Sequence, residues 1–188
     1  ALASGKCPAG LQLYLYQNQI SDKGAQALAD SLASGKCPTG LQIRLYDNKI
    51  SDKGAQAFAE ALITGKCPSG LKLYLNSNNI KDKGAQALAE ALTTGNCPAG
   101  FRLDLHNNKI GNEGAQALRE SLAAGRCRYG TMVVISEIDL TSLCRSNDNR
   151  INTEKALALA VVMGRYKGEN NVIKYKIKSN NLSNPMFH

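Results

Sequence analysis

The sequence repeats a unit of thirty residues four times with few changes, and this period limits the folds that the chain can adopt. The segment 11–20 has in-register copies at 41–50, 71–80 and 101–110. Each copy runs on into a Gly-Ala-Gln-Ala segment, and these segments begin at Gly24, Gly54, Gly84 and Gly114. A fixed period of this length is typical of a solenoid, in which each unit buries its apolar face only against its neighbours. Functional residues are therefore expected on an extended surface rather than in a closed pocket.

Each unit has a strand half and a helix half. Apolar and polar residues alternate in Leu11–Tyr16, which predicts a half-buried strand with Leu13 and Leu15 turned towards the core. Apolar residues recur at helical spacing in Asp22–Leu32 and predict a helix with one inward stripe. Helices are wider than the strand spacing of about 4.8 Å, so the chain is expected to form an arc with a parallel sheet on its concave face.

Polar and glycine positions predict where each helix begins and ends. Aspartate and asparagine are favoured as N-cap residues. N-caps are therefore predicted at Asp22, Asp52, Asp82 and Asn112. A left-handed glycine often ends a helix. Such glycines are predicted at Gly35, Gly65, Gly95 and Gly125.

One asparagine recurs between two buried apolar positions of every unit. The column consists of Asn18, Asn48, Asn78 and Asn108. A buried amide is costly unless its donors and its acceptor are hydrogen bonded. Stacked asparagines can bond the backbone of their own turn and of the next repeat. This column is therefore expected to be a structural ladder rather than a binding site.

The frame Leu-x-Leu-x-x-Asn-x-Ile, which begins at Leu13, resembles a leucine-rich repeat, and the helical half resembles the ribonuclease-inhibitor-type subfamily. The resemblance is close over 11–130 and eroded over 131–188. The Gly-Lys-Cys-Pro-x-Gly ending of the units resembles repeats in effector proteins of intracellular bacteria. These resemblances imply one α/β leucine-rich-repeat domain over 1–188 with about six strand–helix units. Regular repeats are expected over 1–130, with irregular repeats and a cap over 131–188.

The two ends of the chain depart from the regular unit. Leu2–Pro8 is identical to Leu32–Pro38, so the chain is expected to begin inside a repeat and to be a fragment that lacks N-terminal residues. Val133 takes the place of Leu13 in a fifth strand, and Tyr175 is predicted to take the same place in a sixth. Residues 141–150 are predicted to be an insertion.

Five cysteines recur at a spacing of thirty residues: Cys7, Cys37, Cys67, Cys97 and Cys127. Stacked slots hold Cβ atoms about 5 Å apart, beyond the roughly 3.5–4.5 Å of a disulfide. A linear column also lacks the convergence that a zinc site needs, so no metal and no cofactor are expected. Buried thiols favour a reducing intracellular compartment, and the effector resemblance implies secretion by a bacterium into a host cell cytosol. An extracellular disulfide framework is the alternative.

The strand positions that vary between repeats face away from the helices, on the predicted concave side. The expected partner-binding residues are Tyr14, Tyr16, Arg44, Tyr46, Lys72, Tyr74, Arg102, Asp104, His106 and Met132. Tyrosine and arginine are enriched in binding hot spots, although tyrosine also has a high strand propensity of its own. The sequence therefore predicts a non-catalytic module, monomeric alone, that binds a partner protein. The resemblance to ribonuclease-inhibitor-type repeats and to bacterial effectors implies that it inhibits or regulates an enzyme. A scaffold or adaptor role is the alternative.

Three other classes of protein are disfavoured. The sequence has no apolar run of eighteen residues, so no membrane span is expected. Asp104 and His106 share a face, but no serine or cysteine has a fixed place beside them, which disfavours an enzyme. The net charge of +8 leaves nucleic-acid binding through a basic surface as an alternative. Because the basic residues are dispersed, an acidic protein surface is favoured as the partner.

Overall fold

The structure is a computed structural model, and it describes residues 2–124, 126, 128, 130–138 and 172–177. A short 3-10 helix, Leu2–Ser4, comes first. The strands are β1 Gln12–Tyr14, β2 Gln42–Arg44, β3 Lys72–Tyr74, β4 Arg102–Asp104, β5 Met132–Ile138 and β6 Val172–Ile177. The helices described between them are α1 Asp22–Ala33, α2 Asp52–Ile63, α3 Asp82–Thr93 and α4 Asn112–Ala123.

The six described strands form one parallel sheet in chain order. Over the first five strands, residues thirty apart are paired, so Gln12 lies beside Gln42 and Gln42 lies beside Lys72. Each helix packs against the helices of the neighbouring repeats. The predicted fold class, an α/β solenoid with a parallel sheet and a layer of helices, is confirmed.

The core lies between the sheet and the helices. Ile43 and Leu45 on the strand side, and Phe58 and Leu88 on the helix side, are fully buried. Leu13 is only partly buried because β1 is the edge strand of the sheet. None of the helices in the described part of the chain is long and apolar enough to cross a membrane.

The helices begin one residue earlier than the sequence predicted. Their N-cap residues are Ser21, Ser51, Lys81 and Gly111. The predicted N-caps, Asp22, Asp52, Asp82 and Asn112, are instead the first residues of their helices, so that prediction is wrong. The physical reason is that three of these side chains are used by the following helix.

The carboxylate of each of these aspartates accepts hydrogen bonds from the first turn of the next helix. Asp22 Oδ1 accepts from the backbone N–H of Ser51 at 2.7 Å and of Gly54 at 3.0 Å. Asp22 Oδ2 also accepts from the Ser51 hydroxyl at 2.6 Å. Asp52 bonds the N–H groups of Lys81 and Gly84 in the same way, and Asp82 bonds those of Gly111 and Gly114. We call Asp22, Asp52 and Asp82 the aspartate ladder.

The predicted helix ends are confirmed where the structure describes them. Gly35, Gly65 and Gly95 follow the helices with φ of 71°, 68° and 74°, a left-handed conformation that favours glycine. Gly125 lies outside the described residues.

The asparagine column makes a repeated set of hydrogen bonds. Asn78 is 7% exposed, and its Oδ1 accepts from the Ile50 N–H at 3.0 Å. Its Nδ2 donates to the carbonyl oxygens of Leu45 at 2.9 Å and Leu75 at 3.1 Å. Asn48 and Asn108 make equivalent bonds, whereas Asn18 is exposed and its side-chain amide donates to the Tyr16 carbonyl. Asn48, Asn78 and Asn108 therefore bond the backbone of the preceding repeat. The sequence predicted bonds to the next repeat, and that part of the prediction is wrong.

The thiol column is partly buried. Cys67 and Cys97 are buried, whereas Cys7 and Cys37 are half-buried, and Cys127 lies outside the described residues. Cys37 and Cys67 are free thiols whose Sγ atoms donate to helix carbonyl oxygens, at 3.2 Å and 3.4 Å. Burial, and to a lesser degree the neighbouring Cys37, raise the pKa of Cys67 to about 12.

The register of the sixth strand differs from the prediction. Val133 pairs with Ile173 rather than with Tyr175, and the ladder is irregular between Val134 and Glu137. Val133 and Ile173 are forty residues apart, so this strand pair already lies outside the thirty-residue frame before the irregularity. The predicted insertion 141–150 lies outside the described residues.

Candidate binding surface

The strand residues that point away from the helices form a surface that we call the open face. Its first column is Gln12, Gln42, Lys72, Arg102 and Met132. Its second column is Tyr14, Arg44, Tyr74, Asp104 and Val134. Its third column, one step beyond the strands, is Tyr16, Tyr46, Asn76 and His106. The ten residues predicted to contact a partner all lie in these columns.

Tyrosine rings and guanidinium groups alternate across four neighbouring strands. Arg44 Cζ lies 5.0 Å from the Tyr14 ring centroid and 5.4 Å from the Tyr74 centroid. Arg102 Cζ lies 5.5 Å from the Tyr74 centroid on the following strand. These distances are within the range of cation–π attraction, and the strand spacing of about 4.8 Å sets them. We call Tyr14, Arg44, Tyr74 and Arg102 the Tyr–Arg row.

A stacked tyrosine pair lies beside this row. The rings of Tyr16 and Tyr46 are parallel within 6°, with centroids 4.5 Å apart. Tyr14 meets Tyr16 edge to face, with centroids 6.5 Å apart. Desolvation and the adjacent Tyr16 raise the pKa of Tyr46. Tyr14 and Tyr16 remain 59% and 37% exposed, and the three rings therefore form an accessible aromatic cluster.

Gln12 is a member of the open face that the sequence did not single out. Its Oε1 accepts hydrogen bonds from the Tyr14 hydroxyl at 2.9 Å and from Arg44 Nη2 at 3.2 Å. The Nε atoms of Arg44 and Arg102 are buried without a hydrogen-bond partner. The flanking rings therefore contribute much of the orientation of these guanidinium groups. The pairing register places Gln12 beside Gln42 and diagonal to Arg44, and this diagonal position is the signal that could have identified it.

Asp104 and His106 form a close pair at the far end of the open face. Asp104 Oδ1 lies 2.6 Å from His106 Nδ1, and Asp104 Oδ2 lies 3.9 Å from Arg102 Nη2. Asp104 is only 6% exposed, so it orients His106 and offers little surface to a partner. Among the residues whose side chains the structure describes, the His106 ring has Asp104 as its hydrogen-bond partner.

The open face has an excess of positive charge. Arg44, Lys72 and Arg102 are cationic, and Asp104 is the one carboxylate within the three columns described. Lys72 and Met132 lie half-exposed in the first column, Lys72 directly beside Arg102 in the strand register. An anionic partner would therefore meet complementary charge here.

Comparisons with known proteins agree with this architecture. The Leucine Rich repeat family matches residues 11–29, 42–59, 71–89 and 102–118. No match was found among curated protein sequences. Among solved structures, the chain is similar to Leiomodin-1 Actin-Binding Site 2 (ABS2), with 18% sequence identity and a TM-score of 0.59. The alignment covers 87% of this chain and 92% of that one, and at this identity it shows a shared fold.

Proposed function

The chain is a leucine-rich repeat protein, and on that premise we propose that it binds another protein through its open face without catalysing a reaction. One observation carries the proposal. The Tyr–Arg row and the Tyr16–Tyr46 pair present aromatic and cationic side chains together on the exposed side of a sheet. Tyrosine and arginine are the side chains that most often dominate the binding energy of protein interfaces.

The arrangement of these side chains favours tight binding. Arg44 is held between Tyr14 and Tyr74, and Tyr16 is stacked on Tyr46, before any partner arrives. Immobilising a flexible side chain at an interface costs about 0.5–1.5 kcal/mol, and side chains that are already ordered avoid part of that cost. The parallel sheet adds a backbone fixed by hydrogen bonds between repeats.

The charge of the open face favours an acidic surface on the partner. Arg44, Lys72 and Arg102 are positive, while the charge of Asp104 is engaged by His106. Complementary charge raises the rate of association and selects against basic partners. Affinity for the partner is therefore expected to fall as salt concentration rises.

The partner that we favour is an enzyme whose active-site mouth the open face covers and inhibits. The resemblance of the helical half to ribonuclease-inhibitor-type repeats supports this role, and an adaptor that recruits a protein is the alternative. The Leiomodin-1 structure is named for an actin-binding site, so a similar fold serves protein binding in that molecule. We further propose a monomer that acts in a reducing compartment, as an effector delivered by a bacterium into a host cell cytosol.

Affinity capture with the full chain tests the proposal. The affinity of the captured protein is then measured for the wild-type chain and for a double variant that carries Tyr46→Ala and Tyr74→Ala. The double variant is expected to weaken binding by more than about 2 kcal/mol, with little change in the melting temperature. Inhibition of a captured enzyme would support the inhibitor role, and its absence would favour the adaptor.

A matched control lies on the helix side of the solenoid. Lys53 and Glu60 of α2 are both exposed, and Lys53→Ala combined with Glu60→Ala should leave the affinity nearly unchanged. If the Lys53→Ala and Glu60→Ala pair weakens binding and the tyrosine pair does not, the open face is not the binding surface.

Stacked rings beside arginines are also found on surfaces that bind single-stranded nucleic acid. This second candidate predicts RNA or DNA binding with steep salt dependence, and no captured protein.

A further inference from the structure

In the Tyr–Arg row, the Tyr74 ring has one guanidinium group from each of the two neighbouring strands beside it. Arg44 on β2 and Arg102 on β4 flank Tyr74 on β3, with Cζ atoms 5.4 Å and 5.5 Å from its centroid. The two Cζ atoms are therefore at most about 11 Å apart. A partner with two negative charges within this span would contact both groups.

The edges of the two guanidinium groups are the parts that can receive an anion. Neighbouring rings cover guanidinium faces, and the Nε atoms are buried. Arg44 Nη2 donates to Gln12 Oε1 at 3.2 Å, and Arg102 Nη2 is 3.9 Å from Asp104 Oδ2. A guanidinium has five N–H donors, so each group keeps further donors along its Nη edge. The Arg102 side chain is 36% exposed, which leaves this edge accessible.

The positive charge around Tyr74 exceeds what the open face itself neutralises. Lys72 is paired with Arg102 in the strand register and adds a third cation. The carboxylate of Asp104 is buried and is hydrogen bonded to His106 at 2.6 Å. A partner that supplies two carboxylates would balance the two arginines, and guanidinium–carboxylate pairs are frequently bidentate.

An extended peptide places alternate side chains on the same side. Residues i and i+2 are then roughly 6.6 Å apart, whereas i and i+1 point to opposite sides. Two carboxylates at i and i+2 can each reach one arginine with the intervening backbone over Tyr74. Provided that the open face binds protein, as proposed above, we infer that it recognises an extended acidic segment with Asp or Glu at alternating positions, bound by Arg44 and Arg102.

Two fluorescein-labelled decapeptides of identical composition test this inference with the full chain. One is (Glu-Thr)5, and the other is Glu-Glu-Thr-Thr-Glu-Glu-Thr-Thr-Glu-Thr, which has no glutamates at i and i+2. The alternating peptide is expected to bind about fivefold more tightly by fluorescence anisotropy, because it gains one more exposed ion pair. Equal affinity for both peptides, or no binding of either at millimolar concentration, would overturn the inference.

Arginine variants identify the residues responsible. Arg102→Gln should abolish the preference between the peptides, and Arg102→Lys should reduce it because lysine keeps the charge but loses the planar donor edge. Lys53→Gln on the helix side should leave the preference intact. Melting curves of each variant establish that the fold is retained. A preference that survives Arg102→Gln would place the acidic segment elsewhere and overturn the inference.

The outcomes separate this inference from the proposed function. If Tyr46→Ala with Tyr74→Ala weakens the captured partner while the two peptides bind equally, the protein-binding function stands and the alternating-acid preference is lost. If neither tyrosine nor arginine variants affect the captured partner, the proposed function itself fails. If oligothymidylate binds more tightly than both peptides and displaces them, the ligand of the open face is nucleic acid rather than an acidic segment.

Discussion

Asp22 and Gly54 lie in different repeats, yet the Oδ1 atom of Asp22 is 3.0 Å from the backbone nitrogen of Gly54 and accepts its hydrogen bond. Gly54 is in the first turn of α2, where backbone N–H groups have no partner within their own helix. A carboxylate is also favoured at this end by the helix dipole. The contact leaves no room for a side chain, since a Cβ atom on Gly54 would lie 2.8 Å from the same oxygen.

Replacing the equivalent glycine of the next repeat should therefore destabilise the fold. In an ordinary helix, Gly→Ala stabilises by up to about 1 kcal/mol. A Cβ on Gly84 would lie 2.8 Å from Asp52 Oδ1, 2.9 Å from Ile80 Cγ2 and 3.0 Å from Ala55 Cβ. Gly84→Ala is expected to lower the free energy of unfolding by about 1–3 kcal/mol, measured by urea titration.

Gly24→Ala is the matched control for that variant. A Cβ on Gly24 would lie 2.6 Å from Ile20 Cγ2, but no aspartate oxygen lies within 4 Å of it. The cost should therefore be smaller than for Gly84→Ala. If both variants destabilise equally, crowding by the isoleucine rather than by the aspartate accounts for the effect.

The aspartate ladder should also make stability depend on pH. Burial acts to raise the pKa of Asp22, but hydrogen bonds from Ser51 and Gly54 outweigh burial and hold it below its ordinary value. A carboxylate with a lowered folded-state pKa stabilises the fold above its unfolded pKa of about 3.9, and this contribution is lost as pH falls through the folded pKa. Asp22→Ala should cost about 1 kcal/mol at pH 7, and the cost should shrink below about pH 4. An identical cost at pH 7 and pH 2 in urea titrations would contradict this.

Two substitutions in the asparagine ladder (Asn18, Asn48, Asn78 and Asn108) should differ in their cost to stability. Asn78→Ala leaves the Ile50 N–H and the Leu45 carbonyl without their side-chain partner in a buried site, and should destabilise by about 1–3 kcal/mol. Asn18→Ala removes one exposed bond to the Tyr16 carbonyl and should cost clearly less. Thermal melting of the two variants measures the difference, and equal melting temperatures would mean that burial does not set the cost.

The thiol column predicts an order of chemical reactivity. Burial raises the pKa of Cys67 to about 12, so its reactive thiolate is scarce at pH 8. Cys37 is half-buried, and iodoacetamide should label it before Cys67 in native protein, as followed by peptide mass spectrometry. Both should react quickly in denaturant. A disulfide between Cys37 and Cys67 in native material would contradict the thiol assignment.

The sequence predicted the repeating parts of the fold well because each repeat meets the same surroundings. Alternation in the segment at Leu13 identified an inward strand residue, and thirty-residue spacing gave the correct partner in each of the first five strands. The placement of Tyr175 was wrong, since Val133 pairs with Ile173 at a spacing of forty residues rather than thirty. Periodicity describes neighbours only where each unit has the same length.

The side-chain contacts were less predictable than the positions. Asp22 has the residue type and location of an N-cap, and the sequence does not show that its carboxylate serves the next helix. Asp104 was grouped with exposed residues, but it is 6% exposed and bonded to His106. The columns placed Arg44 beside Tyr14 and Tyr74, yet stacking depends on rotamers, which a residue pattern does not specify.

Every contact of the aspartate ladder runs in one direction along the chain. The carboxylate comes from the earlier repeat and the N–H groups from the later one, as with Asp52 and Gly84. Unfolding one repeat therefore removes the cap of the repeat after it but leaves the cap of the repeat before it in place. On the helix side, loss of structure should therefore spread more readily towards the C-terminal repeats. On the sheet side the asparagine ladder couples the repeats in the opposite direction, because Asn78 bonds the backbone of the repeat before it.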